Sequence, residues 1–168
     1  TVDGSKRPRR HTSFALTATA FYYLNAVTLA KCAYMQGKKD EAAAYRDEAA
    51  TIKSAFNAKY WHADKHCYEN NSQTANAIAV AFGLADEQEI KAIVENIVED
   101  VRGRGNAVGT GEIGYPYLLK VLAANGRDDV IFDMVSDASR PGYGYMIAKG
   151  NTTCHEAWDA DNSKSHNH

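Results

Sequence analysis

The amino-acid sequence predicts an all-α fold in which helical hairpins form an inner and an outer ring. Helical segments that are apolar on almost every side alternate three times with segments that have one polar face. The connections alternate as well, because those from an apolar to an amphipathic segment are short and those leading back are long. Three such hairpins make about half of an (α/α)6 toroid, so we expect a part of that fold.

The first predicted hairpin begins with a helix that Thr12 or Ser13 caps and that runs to about Gln36, where Gly37 supplies the stop. Apolar residues occupy almost every side of it, which predicts a helix enclosed by others. Cys32 belongs to this pattern and is expected to be a packed small residue. A tight turn leads into an amphipathic helix whose apolar residues recur at three- and four-residue steps, namely Ala42, Tyr45, Ala49, Ile52 and Phe56.

The second predicted hairpin starts where Ser72 caps an apolar helix from Gln73 to Phe82. After a short turn, Asp86 and Glu89 predict a capping box for an amphipathic helix. The apolar stripe of that helix consists of Ile90, Ile93, Ile97 and Val101.

The third predicted hairpin has Pro116 in the first turn of an apolar helix, and Asn125-Gly126 separates it from a sixth, amphipathic helix. The long connections (residues 61–71, 102–115 and 139–168) should then meet at the N-terminal ends of the inner helices. We expect a pocket there, lined by Trp61, His62, Glu69, Glu112, Tyr143, Glu156, Trp158 and the terminal histidines.

Length and charge restrict the classes of protein that this chain can belong to. Its 168 residues fit one domain or one piece of a larger domain, with residues 1–11 as a polar arm, and its net charge is -2. Lys6–Arg10 is a local basic cluster that we interpret as part of this solvated arm, so nucleic acid is not an expected partner. The sequence contains neither a signal-peptide pattern nor an apolar stretch long enough for a membrane span.

The segment Thr152–Asp159 concentrates functional side chains without the periodicity of a helix or strand. It holds two carboxylates, a histidine and Trp158, and it predicts one wall of a sugar-cleaving site, where a carboxylate activates water. Trp158, Tyr143 and Tyr145 are candidates for stacking on a sugar ring, although packing beneath the loop explains Trp158 nearly as well. A divalent metal would suit a larger set of side chains in this region, but they lack a ligand spacing typical of zinc: His155, Glu156, Asp159, Asp161, His166 and His168.

Four segments spread over the chain are similar to a known family when taken together: Ser72–Ala77, Thr110–Leu119, Tyr143–Tyr145 and Thr152–Asp159. In this order they resemble the C-terminal half of the catalytic domain of the α-L-rhamnosidases of glycoside hydrolase family 78. The resemblance implies inverting hydrolysis of terminal α-L-rhamnose from glycosides or polysaccharides, with no cofactor and no metal.

Within the resembled motif, Glu156 takes the position of the general base. The Asn167-His168 pair follows it as in the family, which implies that His168 contacts the sugar; Asp159 and His155 are the further substrate-binding candidates beside Trp158 and Tyr143. The family's general acid lies upstream in a Cys-Pro-Gln-Arg-like segment that this sequence lacks, so the chain by itself is expected to be inactive.

Several alternatives to this interpretation stay open at the level of the sequence. One is another glycosidase or a lyase built on the same toroid, since a fold does not fix a substrate. Another is a non-catalytic carbohydrate-binding helical module, in which Glu156 is a solvated loop residue. We also expect apolar faces on the edge helices, covered by the remainder of the same domain or by self-association. The cellular compartment is left undecided.

Overall fold

The computed structural model describes residues 11–155 and Trp158. The helices in this part of the chain are α1 (Phe14–Met35), α2 (Lys39–Tyr60), α3 (Gln73–Ala81), α4 (Ile90–Gly103), α5 (Tyr115–Ala124), α6 (Asp128–Ser136) and α7 (Tyr143–Ala148). Two short antiparallel strands, β1 (Trp61–His62) and β2 (Cys67–Tyr68), join α2 to α3, with Trp61 opposite Tyr68 and His62 opposite Cys67.

The helices pair into three hairpins, as the alternation of apolar and amphipathic segments predicts. Helix α1 packs on α2, α3 packs on α4, and α5 packs on α6. Between hairpins, α3 lies between α1 and α5, while α4 contacts α6. The apolar helices α1, α3 and α5 therefore form an inner row, and the amphipathic helices form the outer row.

Local sequence signals set most of the helix ends. The hydroxyls of Ser13 and Ser72 accept hydrogen bonds from the backbone N–H groups of Leu16 and Ala75, each at 3.1 Å, which confirms both predicted caps. Pro116 lies in the first turn of α5 as predicted, where its missing N–H costs no helical hydrogen bond.

Two local expectations are wrong, and some regular structure was not predicted. The Asp86 side chain makes no capping hydrogen bond, because residues Glu87–Glu89 form a 3₁₀ turn before α4 begins. Cys32 is exposed, since it lies on the side of α1 that points away from α2 and α3. The connections also contain regular structure that the pattern did not predict, namely the β1–β2 hairpin and α7.

The core consists of two main clusters that meet at α3. One joins α1, α2 and α3 around Leu16, Phe56 and Ile78. The other joins the five helices α3, α4, α5, α6 and α7, and it includes Leu118 and Trp158. Partly buried residues that pack against both clusters are Val80, Ile90 and Tyr117. Helix α3 thus links the two halves of the core.

Helix α1 is less enclosed than its apolar sequence predicts. Phe14 is 96% exposed and Met35 84% exposed, and Tyr22 and Leu29 are also exposed. Only one side of α1 contacts other helices among the described residues, so the opposite apolar side faces solvent. This is the exposed edge face that the sequence predicts for three hairpins standing alone.

Candidate functional site

The N-terminal ends of the inner helices meet at one face of the molecule. Thr12, just before α1, hydrogen-bonds to Ser72, just before α3, with 2.6 Å between the hydroxyl oxygens. A cleft of about 400 Å³ at this face is lined by the start of α1, by Thr74 of α3 and by residues 109–114, which precede α5. Of the three long connections predicted to gather here, residues 102–115 therefore lie at this face, next to the residues that precede α1.

A second cleft opens beside the first and contains the candidate sugar-contacting residues. Its volume is about 260 Å³, below the range of roughly 300–1,000 Å³ typical of pockets for drug-sized ligands. A ligand the size of one sugar ring suits it better. The residues that line it are Glu112, Tyr115, Pro116, Tyr143, Cys154, His155 and Trp158.

Three aromatic rings form one side of this cleft and pack edge to face. The Trp158 ring centroid lies 4.7 Å from that of Tyr115 and 5.3 Å from that of Tyr143, and the two tyrosine rings are 5.9 Å apart. Edge-to-face packing at these distances stabilises the cluster beyond simple burial. Rings held in this way present a fixed apolar surface.

Burial controls the ionisation of the two tyrosines. Desolvation raises the pKa of Tyr115, and the neighbouring Tyr143 raises it further. Desolvation and nearby Cys154 raise the pKa of Tyr143. Both phenols are therefore neutral at physiological pH, and neither is poised as a nucleophile or base.

Trp158 is held by both packing and a hydrogen bond. Its indole Nε1–H donates to the backbone carbonyl of Thr110, with 2.9 Å between the heavy atoms. The residue is only 7% exposed and belongs to the core cluster around α5. Trp158 is thus packed beneath the loop, as one of the two sequence interpretations predicts, and it also lines the cleft; its stacking on a sugar ring stays a prediction.

The structure brings together only part of the pocket predicted from the sequence. Glu112, Tyr143, His155 and Trp158 share the cleft. The candidate residues Glu156, Asp159 and His168 lie outside the described residues, as do Lys6–Arg10 and the other terminal histidine, His166.

Three residues of the predicted pocket have other contacts. Glu69 accepts a hydrogen bond from the backbone N–H of Ser13 at 3.1 Å, so it supports the start of α1. Trp61 packs against Tyr68 with ring centroids 5.1 Å apart, and His62 is exposed on the same small hairpin. Trp61 and His62 lie next to α2 because their strand, β1, follows that helix directly and pairs back with β2.

Sequence reasoning missed Tyr115 as a wall of the cleft, and it missed a buried polar cluster of Gln73, Asp100 and Arg104 behind that wall. Tyr115 precedes Pro116 at the start of an apolar helix, so its pattern indicates only core packing. The sequence context of Gln73 and Asp100 gave no signal of this cluster, since Gln73 begins a helix beside Ser72 and Thr74, and Asp100 follows Glu99.

The described side chains contain no group of three or more His, Cys, Asp or Glu arranged to hold a metal ion. Among the helices of residues 11–155, none has the length and apolar character needed to cross a lipid bilayer.

Helical hairpins in two rows, with an aromatic cleft at the N-terminal ends of the inner helices, define the class of helical-toroid glycosidase domains. Residues 2–168 match the family described as the bacterial alpha-L-rhamnosidase 6 hairpin glycosidase domain. The chain belongs to this family, and its three hairpins in the described residues account for half of the six in the family's name.

Individual relatives agree with the family match. The chain is 28% identical over 160 residues to an α-L-rhamnosidase of Alteromonas sp. The alignment covers 95% of this chain and 17% of that protein. The chain is 32% identical over 143 residues to an α-L-rhamnosidase of Streptomyces avermitilis, covering 85% of this chain and 14% of the relative. The chain thus spans about a sixth of the length of the curated relatives it matches.

Solved structures show the same arrangement of helices. An α-L-rhamnosidase from Dictyoglumus thermophilum superposes with a TM-score of 0.81 at 31% identity, over 89% of this chain and 17% of that one. The Streptomyces avermitilis α-L-rhamnosidase, solved in complex with L-rhamnose, gives a TM-score of 0.81 at 26% identity, over 100% of this chain and 17% of that one.

Proposed function

We propose that this chain forms the wall of an α-L-rhamnosidase active site that carries the general base, Glu156. The observation that carries the proposal is the cleft that contains both His155, which precedes Glu156 directly, and Trp158, which follows it by two residues. The reaction is inverting hydrolysis of terminal α-L-rhamnosides, in which Glu156 accepts a proton from the attacking water.

The surroundings of the cleft suit this chemistry. An inverting glycosidase holds its acid and base roughly 6.5–9.5 Å apart so that a water molecule fits between the base and the sugar. The cluster of Tyr115, Tyr143 and Trp158 provides an apolar surface on which the CH face of a sugar can pack. Glu112 and His155 line the same cleft, which supports the proposal that they hydrogen-bond with sugar hydroxyls.

The identity of the sugar rests on the relatives. The Streptomyces avermitilis structure holds L-rhamnose, and the whole of this chain superposes on a part of that protein. We propose L-rhamnose as the ligand of this cleft as well. In the family the general acid belongs to a segment upstream of the helices, and the proposal assigns it the same source here. His168 and Asp159 are proposed to contact the sugar beside the base.

The test is the Glu156→Gln variant of the rhamnosidase that carries this chain. Replacing the carboxylate by an amide removes the proton acceptor but keeps the shape, so we expect kcat on 4-nitrophenyl α-L-rhamnoside to fall by about 10²–10⁴-fold. L-Rhamnose affinity, measured by isothermal titration calorimetry, should stay within about twofold.

The matched control is Glu87→Gln, the same change at an exposed glutamate of the 3₁₀ turn before α4. It should leave both kcat and affinity unchanged. Unchanged turnover in Glu156→Gln would exclude Glu156 as the base. A fall in L-rhamnose affinity without a fall in kcat would make it a binding residue instead.

A further inference from the structure

A buried glutamine connects the outer helix α4 to the loop beneath the aromatic cleft. Gln73, the first residue of α3, is only 1% exposed. Its Nε2 donates to Oδ2 of Asp100 on α4 at 2.9 Å, and its Oε1 accepts from the backbone N–H of Gly109 at 2.9 Å. Both ends of the amide are therefore used, one toward a helix and the other toward the loop before α5.

The Asp100 carboxylate fixes which way this amide points. Arg104 donates from Nε to the same Oδ2 at 2.7 Å, and the Arg104 and Asp100 side chains are 3% and 6% exposed. A carboxylate paired with a guanidinium accepts hydrogen bonds only, so the NH₂ group of Gln73 must face it. The amide oxygen is then left for Gly109, which makes the loop contact directional.

The loop approaches Gln73 so closely that a side chain does not fit between them. A Cβ atom at Gly109 would lie 2.9 Å from Cδ of Gln73. The next residue, Thr110, supplies the carbonyl that accepts the Trp158 indole N–H at 2.9 Å. A continuous path of short contacts thus runs from Asp100 through Gln73 and the loop to Trp158.

We infer that Gln73, oriented by Asp100, is a positioning residue for the sugar cleft. It holds the Gly109–Thr110 backbone at the place where Trp158 packs, and Trp158 in turn forms part of the cleft wall. Gln73 is not among the described residues that line the cleft. The inference rests on the proposed function for the identity of the ligand, whereas the link to Trp158 stands on the contacts above.

Two tryptophans, Trp61 and Trp158, make a direct readout possible. In a Trp61→Phe background of the 168-residue chain, all tryptophan emission reports Trp158. Gly109→Ala inserts a methyl group against Gln73 and should push the loop away. We expect Trp158 emission to shift to the red and acrylamide quenching to increase. L-Rhamnose binding, followed by the same fluorescence, should weaken about fivefold to tenfold because a hydrogen-bonded wall of the cleft is displaced.

The matched control is Gly111→Ala, two residues along the same loop, where an added Cβ meets nothing within 4 Å. It should change neither emission nor affinity. Gln73→Met is the second variant, since it keeps the length of the side chain and removes both hydrogen bonds. Thermal unfolding and far-UV circular dichroism show which variants fold. If Gly109→Ala does not fold, Gln73→Met tests whether Gln73 positions Trp158.

The outcomes separate the inference from the proposed function. The inference is overturned if folded Gln73→Met or Gly109→Ala has the same Trp158 emission and L-rhamnose affinity as the control. It is also overturned if the emission shifts while the affinity stays unchanged. If the unmutated chain does not bind L-rhamnose, that result counts against the proposed function, and the emission of Trp158 still tests whether Gln73 positions it.

Discussion

The two ends of the inner helices are built in different ways. At the C-terminal ends, each short turn is closed by the helix's own backbone: Lys38, Leu84 and Arg127 each donate to the carbonyl five residues earlier, at 2.9 Å in all three cases. This is the Schellman pattern, and a glycine precedes each donor. At the turn after α3, Lys53 and Asn57 of α2 donate further hydrogen bonds to the carbonyls of Gly83 and Leu84.

At the N-terminal ends, by contrast, the contacts join residues far apart in sequence. Thr12 and Ser72 are 60 residues apart, Ser13 and Glu69 are 56 apart, and Trp158 and Thr110 are 48 apart. Most of these contacts use side chains of one connection to hold the backbone of another. The turns at one end are therefore closed by local backbone hydrogen bonds, with two longer-range bonds from α2 added, whereas the end with the cleft depends on the assembled fold.

Glycine serves a different purpose at each end. Gly37 and Gly83 have φ of +75° and +77°, and an added Cβ would meet nothing within 4 Å. They are needed for a left-handed backbone conformation. Gly114 has an ordinary helical φ of -82°, yet a Cβ there would lie 2.5 Å from Oγ1 of Thr74. It is needed because the loop approaches α3 closely. Substitutions by alanine test this comparison.

The largest effect should come from Gly114→Ala. The new methyl group would overlap the Thr74 side chain, and overpacking of this kind costs about 1–3 kcal/mol. We expect a fall of about 2 kcal/mol in the free energy of unfolding, measured with urea, together with weaker L-rhamnose binding. Thr74→Ala in the same chain removes the two nearest atoms and should restore most of the loss. If the double variant is as unstable as Gly114→Ala, close approach is not the reason for this glycine.

A smaller effect is expected for Gly37→Ala. The left-handed conformation costs an L-residue about 1 kcal/mol, and no atom lies in the way of the methyl group. The free energy of unfolding should fall by that amount while L-rhamnose affinity stays unchanged, because the turn is at the end away from the cleft. Altered affinity would show that the two ends are not independent.

The smallest effect concerns pH and the connection that leads to α7. The Ser139 hydroxyl and backbone N–H both donate to Asp137, at 2.6 and 2.8 Å, and with nearby Arg140 they lower the pKa of that carboxyl. Because the folded pKa lies below the unfolded value of about 3.9, this stabilisation is present above about pH 4 and is lost as the pH falls through the folded pKa.

The free energy of unfolding, measured with urea, should therefore fall less between about pH 5 and about pH 3 in Asp137→Asn than in the parent chain. Asp64→Asn, at an exposed aspartate of the β1–β2 turn, is the control and should keep the parent's pH dependence. An Asp137→Asn curve that parallels the parent would show that this carboxyl does not contribute through ionisation.

The difference between the two ends also explains which parts of the site were predictable. The sequence context leaves the roles of Glu69 and Tyr115 ambiguous, because Glu69 lies in a polar connection and Tyr115 at the start of an apolar helix. The fold turns Glu69 into a support for α1 and Tyr115 into a wall of the cleft. Tyr143 and Trp158 line the cleft as predicted, whereas Trp61, an aromatic residue of another long connection, packs on Tyr68 instead.

The sequence by itself determined the caps at Ser13 and Ser72 and the glycines that end the inner helices, because each of these depends on hydrogen bonds within about five residues. Its alternation of apolar and amphipathic segments also determined the three hairpins. Only the tertiary structure decided which residues surround the cleft and that Gln73 supports it. Those contacts join residues 15 to 48 positions apart, and they depend on side-chain direction and close approach, which no periodic pattern records.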